Sequence, residues 1–162
     1  MINLANRDNV WGLLTNIVLA MSFAAFVNAI IFSRGWNHSG DYVIQPSFAP
    51  PDYMIGVVWV FLFACMATAR WLIIKSKSEK AVLHSRLVVL LVVFCALFPF
   101  YSLAFDSTTG GLIGCIATLL LAGWIVYQVK SSSRAAAALV FTVILWLSFA
   151  TVIIIRLIQF NA

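Results

Sequence analysis

Five long apolar runs separated by short polar breaks dictate what this chain can become. They cover roughly 9–33, 53–74, 82–105, 110–129 and 135–160. A helix rises about 1.5 Å per residue, so about 20 residues cross the hydrocarbon core of a bilayer, and every run suffices. Strands of a lipid-facing barrel would need only about 9–11 residues of alternating polarity, a pattern these runs lack. Helices also close their backbone hydrogen bonds internally, as hydrocarbon demands. The expected fold is all-α: one transmembrane domain, 1–162, of five membrane-spanning helices with a long first loop at 34–52. Composition agrees, with 64% hydrophobic and 9% charged residues and a mean hydropathy of +1.05. A soluble domain carries about 25% charged residues. The first run outlasts the roughly 7–15 apolar residues of a signal peptide, so it is expected to remain as a helix.

The net charge of +5 is a topology signal rather than a nucleic-acid footprint. With five spans, the N-terminus and the second and fourth loops share one side of the membrane. That side carries Arg7, Arg70, Lys75, Lys77, Lys80, Arg86, Lys130 and Arg134 against Asp8 and Glu79, a net +6. The other carries Arg34 and Arg156 against Asp41, Asp52 and Asp106, a net −1. Positive residues stay on the cytoplasmic side, which puts the N-terminus inside and the C-terminus outside.

The first loop ends in Pro46, Phe48, Ala49, Pro50 and Pro51. Its prolines fix φ and remove amide donors, holding the chain extended before a helix that begins at Asp52, an acceptor suited to a helix N-terminus. Such a segment serves either as a rigid lid over a pocket or as a stiff connector. Small residues recur at four-residue spacing at Ala20, Ala24 and Asn28, and again at Gly110, Gly114, Thr118 and Ala122. Stripes of this kind let helices approach closely, inside one bundle or across a homodimer seam. Pro99 should kink the third span, which also carries Phe94, Phe98, Tyr101 and Phe105 along one stripe.

Catalytic constellations are missing from the sequence. No carboxylate sits in mid-membrane to carry protons or cations. His38 and His84 fall on opposite sides, and no metal, nucleotide or nucleophile motif occurs. Cys65, Cys95 and Cys115 lie within apolar runs and read as small hydrophobes. Enzyme activity is therefore not expected, and a binding protein or a structural membrane subunit remains.

The stretch from Pro46 to Trp71 resembles the translocator protein family, the tryptophan-rich sensory proteins or peripheral benzodiazepine receptors. That family shows P-x-W-x-P-P followed by F-G-P-V-W and a Tyr one turn on. Here Pro46, Pro50, Pro51, Gly56, Val58 and Trp59 match, while Phe48, Ile55, Val57 and Phe63 replace the family's Trp, Phe, Pro and Tyr. The last span is similar to the family's L-x-W-x-x-F-A-T-x-L-N through Trp146, Phe149 and Ala150, with Ile154 where the Asn would stand and Asn161 at the chain's end. In the third span Pro99 aligns, but Phe94 and Leu97 replace an Asn and a Trp that face the family's ligand cavity.

The resemblance implies a five-helix bundle, usually a homodimer, that binds porphyrins such as protoporphyrin IX or haem, and in some members sterols, as a sensor, regulator or transporter. A light-dependent porphyrin-degrading activity has been proposed for some bacterial members. A chain that kept the fold as a structural or regulatory subunit and lost the ligand is the alternative. The implied pocket lies beneath the first loop and comprises Phe48, Ala49, Pro50, Pro51, Ile55, Trp59, Phe63, Phe94, Leu97, Phe98, Trp146, Phe149 and Ala150. Phe48, Trp59, Phe63 and Trp146 suit a flat π-surface. A porphyrin's propionates must meet water or cations; on that side Arg34, His38 and Arg156 offer charge or donors, and Arg34, with its planar fork, is the expected partner.

Overall fold

The computed structural model describes residues 2–36, 45–104 and 108–161; His38, Asp41, Phe105 and Asp106 lie outside the described residues. A short turn, α1 (Ile2–Ala5), precedes α2 (Val10–Ser33), α3 (Asp52–Lys75), α4 (Ala81–Ala96), a π-helical segment at Phe100–Ala104, α5 (Thr108–Val129) and α6 (Arg134–Asn161). Among the described residues α2, α3, α5 and α6 are long and apolar enough to cross a membrane, and α4 is a shorter apolar helix. The chain is an integral membrane protein, a helical bundle without a described strand.

Local chemistry accounts for the helix ends. Asn9 caps α2 by accepting the Gly12 amide at 3.0 Å, satisfying a donor that the helix cannot. Before α3, Pro51 sits in the extended region at φ −62° and ψ 151°, and its carbonyl receives the amides of Met54 and Ile55. Asp52 is the first residue of α3 but makes no capping bond; its charge lies in the first turn, where it favours the helix dipole. After α3, Lys77 adopts a positive φ of 52°, the left-handed step that stops the helix.

Inside the spans, side-chain hydroxyls and amides turn back on their own helix. Thr118 Oγ1 donates to the Gly114 carbonyl at 2.7 Å, Thr151 Oγ1 to Leu147 at 2.7 Å and Asn28 Nδ2 to Ala24 at 2.9 Å. Each of these bonds gives a side-chain donor a partner that hydrocarbon cannot supply.

The core lies where α3, α4, α5 and α6 meet, with Met66, Ala69, Ile73, Leu91, Ile125 and Val140 fully enclosed. α6 packs on α5 and α3, and α3 in turn packs on α2 and α4. Contacts at one end join the N-terminal segment, the α3–α4 turn and the α5–α6 turn. Trp71 Nε1 donates to the Asn9 carbonyl at 3.0 Å, Lys77 pairs with Asp8 at 3.4 Å, and His84 Nδ1 meets Ser132 Oγ at 2.7 Å. The Lys77–Asp8 pair is exposed on both sides and contributes about 0–1 kcal/mol. Its value here is as a marker that the basic residues gather at one end.

The expected kink at Pro99 is a full interruption. Proline has no N–H to give and its ring collides with the carbonyl one turn back, so α4 ends at Ala96 and the wider π turn follows. Tyr101, in this turn, lays its ring on α5 at Gly114. A Cβ added at Gly114 would collide with Cε2 and Cδ2 of that ring. With Thr118 and Ala122 enclosed at 1% and 0% exposure, this stripe serves packing within the chain.

Gly114→Leu should therefore destabilise the folded monomer by about 1–3 kcal/mol through overpacking. Thermal unfolding in detergent should show the loss, and adding Tyr101→Ala should recover much of it. A variant that unfolds like the parent would mean the ring does not occupy that site.

Candidate functional site

The end opposite the basic cluster holds two groups of touching rings, and three elements deliver the first. Two consecutive prolines present Phe48 just ahead of α3, and the turn is closed by the Ala49 amide donating to the Pro46 carbonyl at 2.9 Å. Phe48, half of its surface still exposed, tilts against Phe149 of α6 with ring centroids 6.4 Å apart. Phe149 in turn lies 5.8 Å from Trp146, one helical turn back. Trp146 and Phe149 line a wide groove of about 460 Å³ with Val58, Phe61 and Leu62 of α3.

A second group fills the seam between α3 and α4. Trp59 stands 5.8 Å from Phe63 and 6.3 Å from Phe98, in tilted geometry, and Phe98 meets Tyr101 edge-on at 5.4 Å. Offset and edge-on arrangements match the quadrupoles of the rings, each pair contributing about 0.5–1.5 kcal/mol beyond burial. Phe63 is 4% exposed and belongs to the core, whereas Trp59 and Phe98 are half-buried at its margin. Trp36 adds an edge-on contact to Phe100 at 5.9 Å.

The residues expected to form one pocket thus fall into three places. Trp146 and Phe149 line the α3–α6 groove, Phe48 touches it only through its ring contact with Phe149, and Ala150 packs inward beside them. Trp59, Phe63 and Phe98 share the α3–α4 seam, while Ala49, Pro50 and Ile55 are half-buried and Pro51 is exposed. Phe94 and Leu97 are brought to neither. They continue the exposed face of α4 that runs through Leu83 and Leu90. Arg34 is exposed at the end of α2, and Arg156 is exposed on α6, where it donates to Gln159 at 3.0 Å.

Reading the sequence missed a polar cluster at the basic end. Arg70 Nη1 donates to the Ala5 carbonyl at 3.0 Å and to Asn16 Oδ1, and Nη2 donates to Asn6 Oδ1 at 2.8 Å. Asn16, 5% exposed, also donates to the carbonyls of Ala5 and Gly12. The available signal was an asparagine well inside the first apolar run and an arginine short of the end of the second.

A family model described as the TspO/MBR family matches residues 13–159. The chain is also 29% identical over 142 residues to the Tryptophan-rich protein TspO of Bacillus cereus, an alignment covering 83% of this chain and 88% of that relative.

Replacing Pro50 and Pro51 together with Gly should restore chain entropy to the Phe48 turn, lowering its local opening free energy by about 1 kcal/mol. Hydrogen–deuterium exchange over 45–51 should accelerate while exchange along α3 stays slow. Unchanged exchange would show that the Phe48–Phe149 contact, rather than the prolines, holds the turn.

Proposed function

The chain belongs to the TspO/MBR family, and from that premise we propose that it is a membrane sensor or transporter-like protein that binds a flat, largely apolar ligand of the porphyrin class at its aromatic end. The observation that carries this reading is the pair of ring clusters, Phe48–Phe149–Trp146 and Trp59–Phe63–Phe98, on either side of the start of α3. A tetrapyrrole offers a broad π-surface that such rings stack against or meet edge-on. The groove volume of about 460 Å³ falls within the roughly 300–1,000 Å³ typical of small-molecule sites. Residues here supply apolar surface and orientation, and no proton donor or nucleophile enters the proposed role.

In this reading protoporphyrin IX lays its ring against Trp146 and Trp59, with its propionates toward the water-facing mouth and Arg34 as their cationic partner. A second reading, a membrane subunit that kept the fold without the ligand, draws on the placement of Phe94 and Leu97 outside either cluster and on the filling of the α3–α4 seam by protein rings. Homodimer formation, implied by the family resemblance, would use a face other than the Gly114 stripe.

Titration with protoporphyrin IX separates the two readings. Binding should quench tryptophan emission saturably, and Trp59→Leu or Trp146→Leu should weaken it by about 1–3 kcal/mol if the indoles anchor the ring. Trp11 and Trp124, both exposed and remote from the clusters, serve as controls. Arg34→Ala should weaken the dicarboxylate more than its dimethyl ester. Binding no tighter than to empty micelles would give the subunit reading the case.

The orientation proposed from the charge asymmetry has a separate test. A cysteine introduced at Ser78, in the α3–α4 turn, should react with impermeant thiol reagents only from the cytoplasmic side. Cys65, Cys95 and Cys115 are buried and should stay silent. Labelling from outside intact cells would reverse the orientation.

A further inference from the structure

We propose that the cavity between α2, α3 and α4 at the basic end binds a single-chain carboxylate amphiphile, a long-chain fatty acid, with its chain along the apolar walls and its carboxylate on Arg70. This inference stands apart from the porphyrin reading, because it concerns the opposite end of the bundle.

The cavity holds about 260 Å³ and is lined by Leu19 and Phe23 of α2, Met66 and Arg70 of α3, and Val89 and Val92 of α4, among others. That volume lies below the roughly 300–1,000 Å³ of sites for drug-sized molecules, which excludes a tetrapyrrole and suits one slender chain. Leu19 and Val89 line the cavity yet are each 42% exposed on the bundle surface. The opening between α2 and α4 therefore faces sideways, toward acyl chains.

Arg70 supplies the specificity. Its hydrogen bonds run to the carbonyl of Ala5 and the side-chain oxygens of Asn6 and Asn16, all neutral acceptors. No carboxylate among the described residues pairs with it. Its Nε is buried without any hydrogen-bond partner. An uncompensated cation at the end of a cavity with aliphatic walls is satisfied by one carboxylate, which cancels the charge; the enclosed Nε–H donates to it once the guanidinium turns toward the cavity. A two-chain phospholipid is disfavoured by the small volume and by Ala5, 4% exposed, which closes the space beside the guanidinium against a bulky headgroup.

The test uses the full chain in nanodiscs of zwitterionic phosphatidylcholine, photolabelled with a diazirine derivative of palmitic acid or with the methyl ester of the same probe. Adducts mapped by mass spectrometry should fall on Phe23, Val89 and Val92, with the acid favoured over the ester by about tenfold or more. Unlabelled palmitate should displace the probe. Arg70→Gln should remove the preference for the acid. Val89→Trp, which fills the cavity and leaves the bonds of Arg70 in place, should block labelling by both probes. Equal labelling by acid and ester, adducts confined to other surfaces, or displacement by phosphatidylglycerol but not by palmitate would each overturn the proposal. If Arg70→Gln fails to fold, as judged by circular dichroism, Val89→Trp decides the matter: undiminished labelling overturns the site and lost labelling upholds it.

Discussion

Everything in this fold answers to one constraint: in hydrocarbon, a polar group without a partner costs several kcal/mol. Most polar side chains in the spans meet that demand locally, by donating to a carbonyl on the preceding turn of their own helix. Arg70 cannot, because a guanidinium carries five donors and one turn of helix offers no comparable set of acceptors. Its acceptors come from 54–65 residues away in sequence, from Asn16 on α2 and from Ala5 and Asn6 ahead of it. The N-terminal segment is thus folded back onto the bundle by an electrostatic requirement of α3. Gly12 permits the return, since a Cβ there would strike the carbonyl group of Arg7.

A second chain of cause begins at Pro99. The missing amide ends α4, the π segment takes up the extra residue, and Tyr101 is turned onto α5. Gly114 accepts the ring because it has no side chain, and Tyr101 Oη reaches back to donate to the Phe94 carbonyl at 3.2 Å. Phe98, fixed at the break, is held between Tyr101 and Trp59. One proline thereby helps position an aromatic cluster two elements away.

These two chains of cause mark what can be read from the sequence. Apolar runs of sufficient length announce helices, Pro99 announces a break, and Gly114 announces a close approach. None of them names the neighbour. In a soluble protein polarity separates core from surface, but here the lipid-facing and inward faces of a helix are both apolar. Phe94 and Leu97 illustrate the consequence. Alignment with the family motif set them at a cavity, yet they share the exposed face of α4 with Leu83 and Leu90. Phe48, Trp59, Phe63 and Trp146 were read together because their π-surfaces have a chemistry that distinguishes them from aliphatic packing, but the fold divides them into two ring clusters, and Phe98 joins the one with Trp59. Arg70 was counted as a topology charge, since its partners are distant in sequence and only the tertiary fold brings them to it.

One face of α3 carries Trp59, Phe63, Met66 and Arg70 in succession, so a single helix passes from the aromatic end to the cationic one. The two ends offer opposite chemistries: π-surfaces without a buried cation above, aliphatic walls around a guanidinium below. Between them Phe63 and Met66 are 4% and 0% exposed, enclosed in the core. No continuous path runs along this face in the conformation described. A solute that crossed the bundle along α3 would have to displace both side chains and reopen a core in which Leu62, Ala69 and Leu91 are also enclosed. The enclosed middle of α3 thus holds the aromatic and cationic ends apart as two separate chemical environments.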